Sequence, residues 1–332
     1  MNIKIKGIEY YHPKSKYSNE YFINHFNKRG IDISGLLEAS GRQNRYISDD
    51  PNENSLTMAI EASKKVVQAS NIDLNDIGLV VCVSTTPEFL APTNAMRIHK
   101  ILGLTRKAIA YDMNANCSGL VIAMDQVCRM MKSNNSLKYT LVVGVDQLFR
   151  HTDPNDSLTH TNFAESACAI LLENVDDTCS DFLDSSFFTY NEYSNYVTFP
   201  PKGLSTLLDS VEIKDGEDNI IKYDDFNCDD AFASSIDSIN EMLSRNNLKK
   251  SDIKLYCLSQ FAKSNIDNIK DTLEEPESKF PFIGDEFGYT GLTSPFIALK
   301  DSIDKNKIQR GDHIILWTVG VGVIASGILL RY

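Results

Sequence analysis

Apolar and polar positions in the first half of the chain alternate between helical and strand-like patterns. Apolar residues recur at helical spacing from Thr57 to Ser70, and the continuous apolar run from Ile77 to Ser84 that follows is typical of a buried strand. The same patterns then predict a helix, a strand, a second helix and a further strand, over Asn94–Leu102, Lys107–Met113, Gly119–Met131 and Tyr139–Val145. This order predicts a mixed or parallel sheet covered by helices, which is an α/β fold.

The second half of the chain repeats part of this pattern. Around Asp76 and again around Asp252, an amphipathic helix leads through a polar turn and an Asp-Ile pair into a buried strand. Such similarity indicates two topologically similar halves, although two such units of one α/β protein can also look alike by chance. Few periodic runs occur between them. We therefore expect an N-terminal half over residues 1–175, an irregular linking or inserted segment over 176–230, and a C-terminal half over 231–332.

One apolar stretch, Ile314 to Leu330, carries no charge and approaches the length of a membrane span. Gly320, Gly322 and Gly327 interrupt it, and β-branched residues are frequent. The pattern therefore predicts two buried strands joined by a tight turn rather than a membrane span.

Composition narrows the functional classes. The 332 residues are 42% hydrophobic and 23% charged, as in ordinary globular proteins, and the net charge of -12 argues against a nucleic-acid or anionic-lipid partner. The N-terminal residues lack the apolar region of a secretory signal, so we expect a cytoplasmic protein. His151 and His160 flank a polar stretch, but their spacing does not suit a metal site, and no motif indicates a cofactor.

Seven cysteines without a close C-x-x-C pair argue against disulfides and against zinc. They are Cys82, Cys117, Cys128, Cys168, Cys179, Cys228 and Cys257. Cys82, Cys168 and Cys257 lie in strand-like apolar runs, where a thiol packs as a small hydrophobic group.

Cys117 differs because it lies between a short strand and the first turn of an apolar helix. Free backbone N–H groups at a helix start lower the pKa of a thiol and make it more nucleophilic. The small residues Ser118 and Gly119 would let a substrate carbonyl approach those amides. The pattern predicts a catalytic nucleophile; the alternative is a buried cysteine that does not react.

Several segments in order carry a family resemblance: DMNANCSGL around Cys117, NFAESACAILL, EFGYTGLTSPFIALKD and the closing VGVGVIASGILLRY. With these motifs the chain resembles a ketoacyl-ACP synthase III of the thiolase superfamily over almost its whole length. The resemblance implies two fused halves in a five-layered αβαβα sandwich, usually as a homodimer, with a heterodimer as the alternative. It also implies that Cys117 takes an acyl group from a thioester, after which the enolate of a decarboxylated malonyl thioester attacks it.

The resemblance fails at two positions of the expected triad. Ser259 stands where the family has a His, Gln260 keeps the following Gln, and Tyr289 stands where the family has an Asn. Hydroxyl groups donate hydrogen bonds but shuttle protons poorly at neutral pH. We therefore expect acylation of Cys117 to remain possible while ordinary Claisen condensation is impaired.

Three further positions gain a predicted role from the resemblance. Gly320 and Gly322 lie in the turn that supplies the second oxyanion amide in the family. Glu88 follows a strand whose loop lies near the active site there, so it is a candidate base; a surface or dimer-contact carboxylate is the alternative.

The acyl donor is expected to be an acyl carrier protein rather than CoA. Gly35 and Ala39 stand where CoA-primed members carry a Trp and an Arg that clamp the adenine. Carrier proteins are acidic, so a basic docking patch is expected. Candidates, with solvated surface as the alternative, are Lys263 and Lys270, or Arg42 and Arg45.

Three functions stay open. The first is an acyltransferase that passes the acyl group from Cys117 to a second substrate in fatty-acid, polyketide or other secondary-metabolite biosynthesis. The second is a condensing enzyme that uses Cys117, Ser259 and Tyr289. The third is a degenerate, non-catalytic partner of an active ketosynthase.

Overall fold

The computed structural model of the protein describes residues 2–176, 181–205, 219–224 and 229–332, so Cys179 and Cys228 lie outside the described residues. Its strands are β1 (Asn2–Tyr11), β2 (Lys16–Ser18), β3 (Asn44–Tyr46), β4 (Ile77–Val83), β5 (Ile109–Met113), β6 (Tyr139–Gln147), β7 (Glu165–Val175), β8 (Phe182–Thr189), β9 (Val197–Thr198), β10 (Lys222–Tyr223), β11 (Ile253–Leu258), β12 (His313–Gly320) and β13 (Ile324–Arg331). Its α-helices are α1 (Asn19–Asn27), α2 (Ser34–Ser40), α3 (Ser55–Ser70), α4 (Asn94–Leu102), α5 (Gly119–Ser133), α6 (Ser157–Asn162), α7 (Asp229–Arg245), α8 (Lys263–Leu273), α9 (Gly284–Phe287) and α10 (Ser294–Asp304).

Two mixed sheets organise the chain. The first has the strand order β1-β7-β6-β4-β5, in which β4 runs parallel to β5 and β6 while β7 is antiparallel to both of its neighbours. The second has the order β11-β12-β13-β8, in which only β11 and β12 are parallel. Strand β4 is buried along almost its whole length, which explains its continuous apolar run.

Helices form three layers around the two sheets. Helices α3 and α4 cover the outer face of the first sheet, α5 and α10 lie between the sheets, and α7 and α8 cover the second sheet. The central core joins side chains of both sheets, such as Leu79 and Leu255, to Leu120 of α5 and Phe296 of α10. The result is the predicted five-layered order of helices and sheets.

The elements predicted around the first sheet are confirmed. Helix α3 begins where Asn54 and Thr57 form a capping box, in which each side chain accepts a hydrogen bond from the backbone N–H of the other residue. The α/β order from β4 to β6 also matches the expected order.

The C-terminal apolar stretch forms a hairpin, as predicted. Strands β12 and β13 pair with Trp317 opposite Gly327. A Cβ atom on Gly327 would lie 2.9 Å from the Met242 side chain and 3.2 Å from the Trp317 ring, so only glycine leaves room for the indole. Over the described ranges, the helices lack the combination of length and apolar character that would let one cross a membrane.

The segment 176–230 differs from the irregular linker that the pattern predicts. Strand β8 lies within it and pairs with β13, so the second sheet takes a strand from before residue 231. The apolar pattern does not predict β8, because this edge strand carries Asp184, Ser185 and Ser186 among its apolar residues. Residues 177–180, 206–218 and 225–228 of this segment lie outside the described residues.

Candidate active site

A short 3-10 turn, Asn116–Ser118, places Cys117 between β5 and α5. The side-chain amide of Asn116 donates to the backbone oxygen of Val321 (2.9 Å), and the Ser118 hydroxyl donates to that of Ile324 (2.7 Å). A Cβ atom on Gly119 would lie 2.7 Å from Val83, so glycine lets α5 start against β4. The residues around the cysteine therefore fix its turn between the two sheets.

Cys117 opens onto a cavity of about 780 Å³. The walls come from the loop after β4, from Phe163, from the segment around β9 and from the turn between β12 and β13. Among the described residues that line it, none is Asp, Glu, Lys or Arg. The cavity therefore suits an acyl chain and other uncharged groups.

The expected low pKa of Cys117 is wrong for this structure. Burial, together with the smaller effect of the Asp146 carboxylate, raises the pKa of the thiol to about 12, although a hydrogen bond with Tyr289 opposes part of this shift. The thiol side chain is only 9% exposed, so loss of hydration outweighs the help of the helix start. Cys117 is a neutral thiol at rest.

Tyr289 reaches Cys117 because its backbone is tied to the segment before β7. Its N–H donates to the backbone oxygen of Asn162 and its own backbone oxygen accepts from Ala164, both at 2.9 Å. The preceding Gly288 has a φ of 75°, and a Cβ atom there would meet Ala164 at 2.8 Å and Arg45 at 2.9 Å. This turn directs the phenol into the site.

The hydroxyl of Tyr289 donates towards the sulfur of Cys117, which raises the pKa of Tyr289 and lowers that of Cys117. Burial is the larger cause of the raised tyrosine pKa, so the phenol keeps its proton. The hydroxyl of Ser259 lowers the pKa of Tyr289, although it makes no well-aligned hydrogen bond within the described residues. Cys117, Tyr289 and Ser259 are therefore brought together, as the resemblance implies.

Gln260 does not belong to this reactive group, which corrects its predicted catalytic role. Its side-chain amide donates to the backbone oxygens of Leu258 and Pro281, and its carbonyl accepts from the backbone N–H groups of Ile283 and Gly284. All of its hydrogen-bonding capacity is used inside the protein. Gln260 instead holds the loop after Ser259 in place.

Neither of the two candidate pairs for the predicted basic docking patch is available as a free basic surface. Arg42 and Arg45 are 0% exposed, because Arg42 donates to Asn162 and to the backbone oxygens after Ser259 while Arg45 donates to the backbone oxygen of Thr161. Lys263 and Lys270 are paired with carboxylates of α8 and of the turn after it. Neither pair offers a free basic surface.

The two candidate glycines have different positions. Gly322, with a φ of 110°, lines the cavity beside Cys117. A Cβ atom on Gly320 would lie 3.1 Å from the backbone nitrogen of Ser118, so this glycine lets β12 approach the cysteine turn. Glu88 is exposed and is not among the residues that line the cavity, although Thr86, Pro87 and Leu90 around it are. The structure thus gives no support to Glu88 as a base in its own subunit.

Two candidate functional residues were not predicted from the sequence. His151 lines the cavity, but in the sequence it is one of several polar residues in a loop. Asp146 lies on β6, where its Oδ1 atom accepts from the backbone N–H groups of Thr85 (2.7 Å) and Thr86 (3.3 Å) while its buried Oδ2 atom has no partner among the described residues. A carboxylate near the end of an apolar strand is the signal that could have identified it.

Comparison with known proteins identifies relatives of the chain. A model of the family described as 3-oxoacyl-[acyl-carrier-protein (ACP)] synthase III matches residues 111–191, and a model of its C-terminal part matches residues 243–332. The beta-ketoacyl-[acyl-carrier-protein] synthase III of Clostridium perfringens (strain SM101 / Type A) is 28% identical over 340 residues, 99% of each chain. That of Wolbachia pipientis subsp. Culex pipiens (strain wPip) is 28% identical over 300 residues, 90% of each chain.

Solved structures show the same fold. The 3-oxoacyl-[acyl-carrier-protein] synthase III of Aquifex aeolicus VF5 superposes with a TM-score of 0.85 at 23% identity over 100% of both chains. OleA of Xanthomonas campestris superposes with a TM-score of 0.85 at 16% identity over 100% of this chain and 99% of its own. The predicted thiolase-like fold is confirmed. Since the two family models together match just over half of the chain, and the relatives align along nearly all of it, the protein belongs to the 3-oxoacyl-[acyl-carrier-protein] synthase III family.

Proposed function

We propose that the protein is an acyltransferase in which Cys117 takes an acyl group from a thioester and passes it to a second substrate. The product would belong to fatty-acid, polyketide or other secondary-metabolite biosynthesis. One observation carries the proposal: the thiol of Cys117 opens onto a cavity whose described lining has no Asp, Glu, Lys or Arg, while the hydroxyl of Tyr289 donates towards its sulfur. The contact with Tyr289 favours the thiolate that must attack a thioester and so opposes the effect of burial, which raises the pKa of the thiol.

The first half-reaction follows from these positions. The sulfur of Cys117 gives up its proton and attacks the carbonyl carbon of the donor; the new C–S bond forms, the donor's C–S bond breaks, and the departing thiolate takes up that proton. The backbone N–H groups of Cys117 and Gly322 are the proposed donors to the oxyanion that develops on the carbonyl. Gly320 supports them by bringing β12 close to the cysteine turn.

The proposed acyl donor is an acyl carrier protein. Gly35 and Ala39 are exposed on α2, and neither offers an aromatic ring or a guanidinium to hold an adenine. Loading rates from the same acyl group on carrier protein and on CoA test this choice. Faster loading from CoA would contradict it.

A decarboxylative condensing enzyme is the second candidate, and family membership favours it. Condensation needs donors aimed at the oxygen of the enolate that forms from the malonyl thioester. The single hydroxyl proton of Tyr289 is directed at sulfur, and Ser259 is the only other donor of the expected pair. This geometry supports acyl transfer more than condensation.

Intact-protein mass spectrometry with a series of acyl thioesters tests the proposed function. Wild type should gain one acyl mass, Cys117→Ala should gain none, and Cys128→Ala, which changes a buried core thiol of α5, should gain the mass as wild type does. If wild type gains no acyl mass, both enzymatic functions fail and the non-catalytic partner remains.

Malonyl-carrier protein added to the acylated enzyme separates the two enzymatic candidates. Acyl transfer without decarboxylation predicts no release of carbon dioxide. Release that depends on Cys117 would establish condensation instead.

We also propose that two copies of the chain associate through the edge of the first sheet. In the part of the chain that the structure describes, strand β5 is an edge strand with one unpaired backbone side. Three strongly exposed apolar side chains lie on this strand and on helix α4, which packs against it: Ile109 of β5, and Met96 and Ile101 of α4. An exposed apolar patch beside a free edge is typical of a protein interface, and a heterodimer through the same edge is the alternative.

A further inference from the structure

His151 lies on the wall of the cavity that Cys117 opens onto. It ends the short turn after β6, and its ring packs against Phe199, with 4.6 Å between the ring centroids. Its backbone oxygen accepts a hydrogen bond of 2.7 Å from the N–H of Ile221. Phe199 and Ile221 also pack in the apolar cluster that contains Cys117, so the imidazole borders the cluster that holds the thiol.

One hydrogen bond fixes the tautomer of the His151 ring. The Nδ1 atom lies 2.9 Å from the backbone oxygen of Asn219. A carbonyl oxygen only accepts, so Nδ1 carries the proton and Nε2 of the neutral ring has the free lone pair. Within the described part of the chain, Nε2 has no hydrogen-bond partner. The ring is thus set up to accept a proton at Nε2.

The surroundings keep this imidazole neutral at rest. Burial lowers the pKa of His151, the Asn219 hydrogen bond raises it in part, and the positive charge of Arg150 lowers it again. Among the described residues, Asn219 and Arg150 are the groups that act on the pKa of the ring. A neutral imidazole near physiological pH is the usual general base of enzymes.

The cavity also restricts the second substrate. Cys117 and His151 are the only ionisable side chains among the described residues that line it. Against these described residues a charged acceptor would lose hydration without gaining an opposite charge, which is strongly unfavourable. An acceptor with an uncharged hydroxyl or amino group meets no such penalty.

We propose that His151 is the general base of the second half-reaction and that it deprotonates an uncharged hydroxyl or amino acceptor. This inference rests on the proposed acyl transfer through Cys117. The acceptor oxygen or nitrogen attacks the thioester carbon as its proton passes to Nε2. The new bond forms, the C–S bond breaks, and the imidazolium returns the proton to the leaving sulfur, which restores the thiol and the neutral ring.

Two substitutions separate base catalysis from a structural role. His151→Asn places an amide N–H near the position of Nδ1, so it can keep the bond to Asn219 while it removes the base. His151→Phe removes the bond as well and keeps the ring against Phe199. His313→Asn, at the start of β12, is the control for a general effect of losing a histidine.

The experiment follows loss of the acyl mass from Cys117. Each variant is loaded with octanoyl-N-acetylcysteamine, freed of excess reagent, and sampled by intact-protein mass spectrometry in buffer alone, where water is the acceptor. Parallel samples contain aniline or benzyl alcohol, which are uncharged at neutral pH, or benzylamine, which is cationic. Both His151 variants should load like wild type and lose the acyl group about 100-fold more slowly, the usual size of a general-base effect.

The pH dependence distinguishes the roles further. The wild-type deacylation rate should rise as pH increases through the pKa of the imidazole and then level off, and His151→Asn should lose this rise. Deacylation of His151→Asn at the wild-type rate with the same pH profile would overturn the assignment of the base. Equal acceleration by benzylamine and aniline would overturn the uncharged acceptor. Failure of wild type to load at all would instead contradict the proposed function.

Discussion

The hydroxyl of Tyr289 donates towards the sulfur of Cys117. The family motif has an asparagine at the position of Tyr289, and a histidine at the position of Ser259. The phenol keeps its proton because burial raises its pKa, so it acts as a donor and not as a base. This contact favours the thiolate form of a buried cysteine. The contact therefore connects the replacement of the motif asparagine by Tyr289 with the first chemical step, the acylation of Cys117.

Tyr289→Phe should slow acylation of Cys117. A hydrogen bond to a charged group contributes about 1.5–3 kcal/mol, so its loss should reduce the rate roughly 10- to 100-fold and raise the pKa of the thiol further. The rate of alkylation by iodoacetamide as a function of pH measures this pKa directly. Tyr256→Phe, a buried tyrosine of β11 outside the site, is the matched control. An unchanged alkylation profile in Tyr289→Phe would contradict the contact.

Asp146 should make stability fall as pH rises. Burial raises its pKa from 3.8 to about 7, although hydrogen bonds from Thr85 and Thr86 oppose the shift. Between pH 3.8 and about 7, the Asp146 side chain is therefore protonated in the folded protein but ionised in the unfolded chain. The free energy of unfolding therefore decreases with increasing pH by up to about 1.4 kcal/mol per pH unit from this group.

Asp146→Asn should flatten that part of the pH dependence, because the amide cannot ionise and its oxygen can still accept the bonds to the loop after β4. Urea denaturation at several pH values across the window measures the effect. Glu165, whose pKa burial also raises to about 7, should keep its own share of the slope. Glu38→Gln, an exposed carboxylate of α2, serves as the control, and a slope in Asp146→Asn as steep as in wild type would contradict the prediction.

Arg42→Met should destabilise the protein and disturb the loop after Ser259. The guanidinium donates to the Asn162 side-chain oxygen and to the backbone oxygens of Gln260 and Phe261. Its removal leaves the acceptors of Asn162 and Gln260 without a donor among the described residues, whereas the Phe261 oxygen keeps a hydrogen bond from the side-chain amide of Asn162. Such losses cost about 1–3 kcal/mol for each buried group, so we expect a decrease of several kcal/mol in the free energy of unfolding. Arg42→Lys should not restore it, because an ammonium cannot reach diverging acceptors as a planar guanidinium does. The exposed Arg106→Met is the control in urea denaturation.

Gly288→Ala should impair both folding and acylation. Its φ of 75° is unfavourable for alanine, and the added Cβ atom would crowd Ala164 and Arg45, so Tyr289 must move. Gly30→Ala is a matched control, because Gly30 has a φ of 73° and no atom within 4 Å of its Cβ position. We expect a cost of roughly 1 kcal/mol for Gly30→Ala and a clearly larger one for Gly288→Ala. Thermal unfolding and acyl loading measure the two effects, and equal costs would show that crowding is unimportant.

Met96→Glu and Ile109→Lys should abolish the proposed association between copies. Each places a charge in the apolar surface around β5, where it would be buried without a partner. Size-exclusion chromatography with light scattering should show a dimer for wild type and a monomer for both variants. Ile23→Glu, an exposed apolar residue of α1, should leave the dimer intact. A wild-type monomer would contradict the proposed interface.

The sequence by itself determined the α/β class, the order of the strands and helices around Cys117, and the terminal hairpin of β12 and β13. These features depend on local periodicity and on runs of apolar residues, which can be recognised from neighbouring positions in the sequence alone. It also showed that a serine and a tyrosine replace the expected histidine and asparagine. Strand β8 was not predicted, because an edge strand with polar residues lacks a continuous apolar run.

Only the tertiary structure decided what the side chains of the site contact. Arg42 looks like surface charge in the sequence, yet it lies buried against residues more than 200 positions away. Gln260 stands at a motif position, but its side-chain amide forms hydrogen bonds with backbone groups. His151 lines the cavity although its segment carries no recognisable motif. The pKa of Cys117 depends on its burial, which the helix-start pattern does not contain. Such contacts and desolvation arise between distant parts of the chain, so local sequence patterns do not specify them.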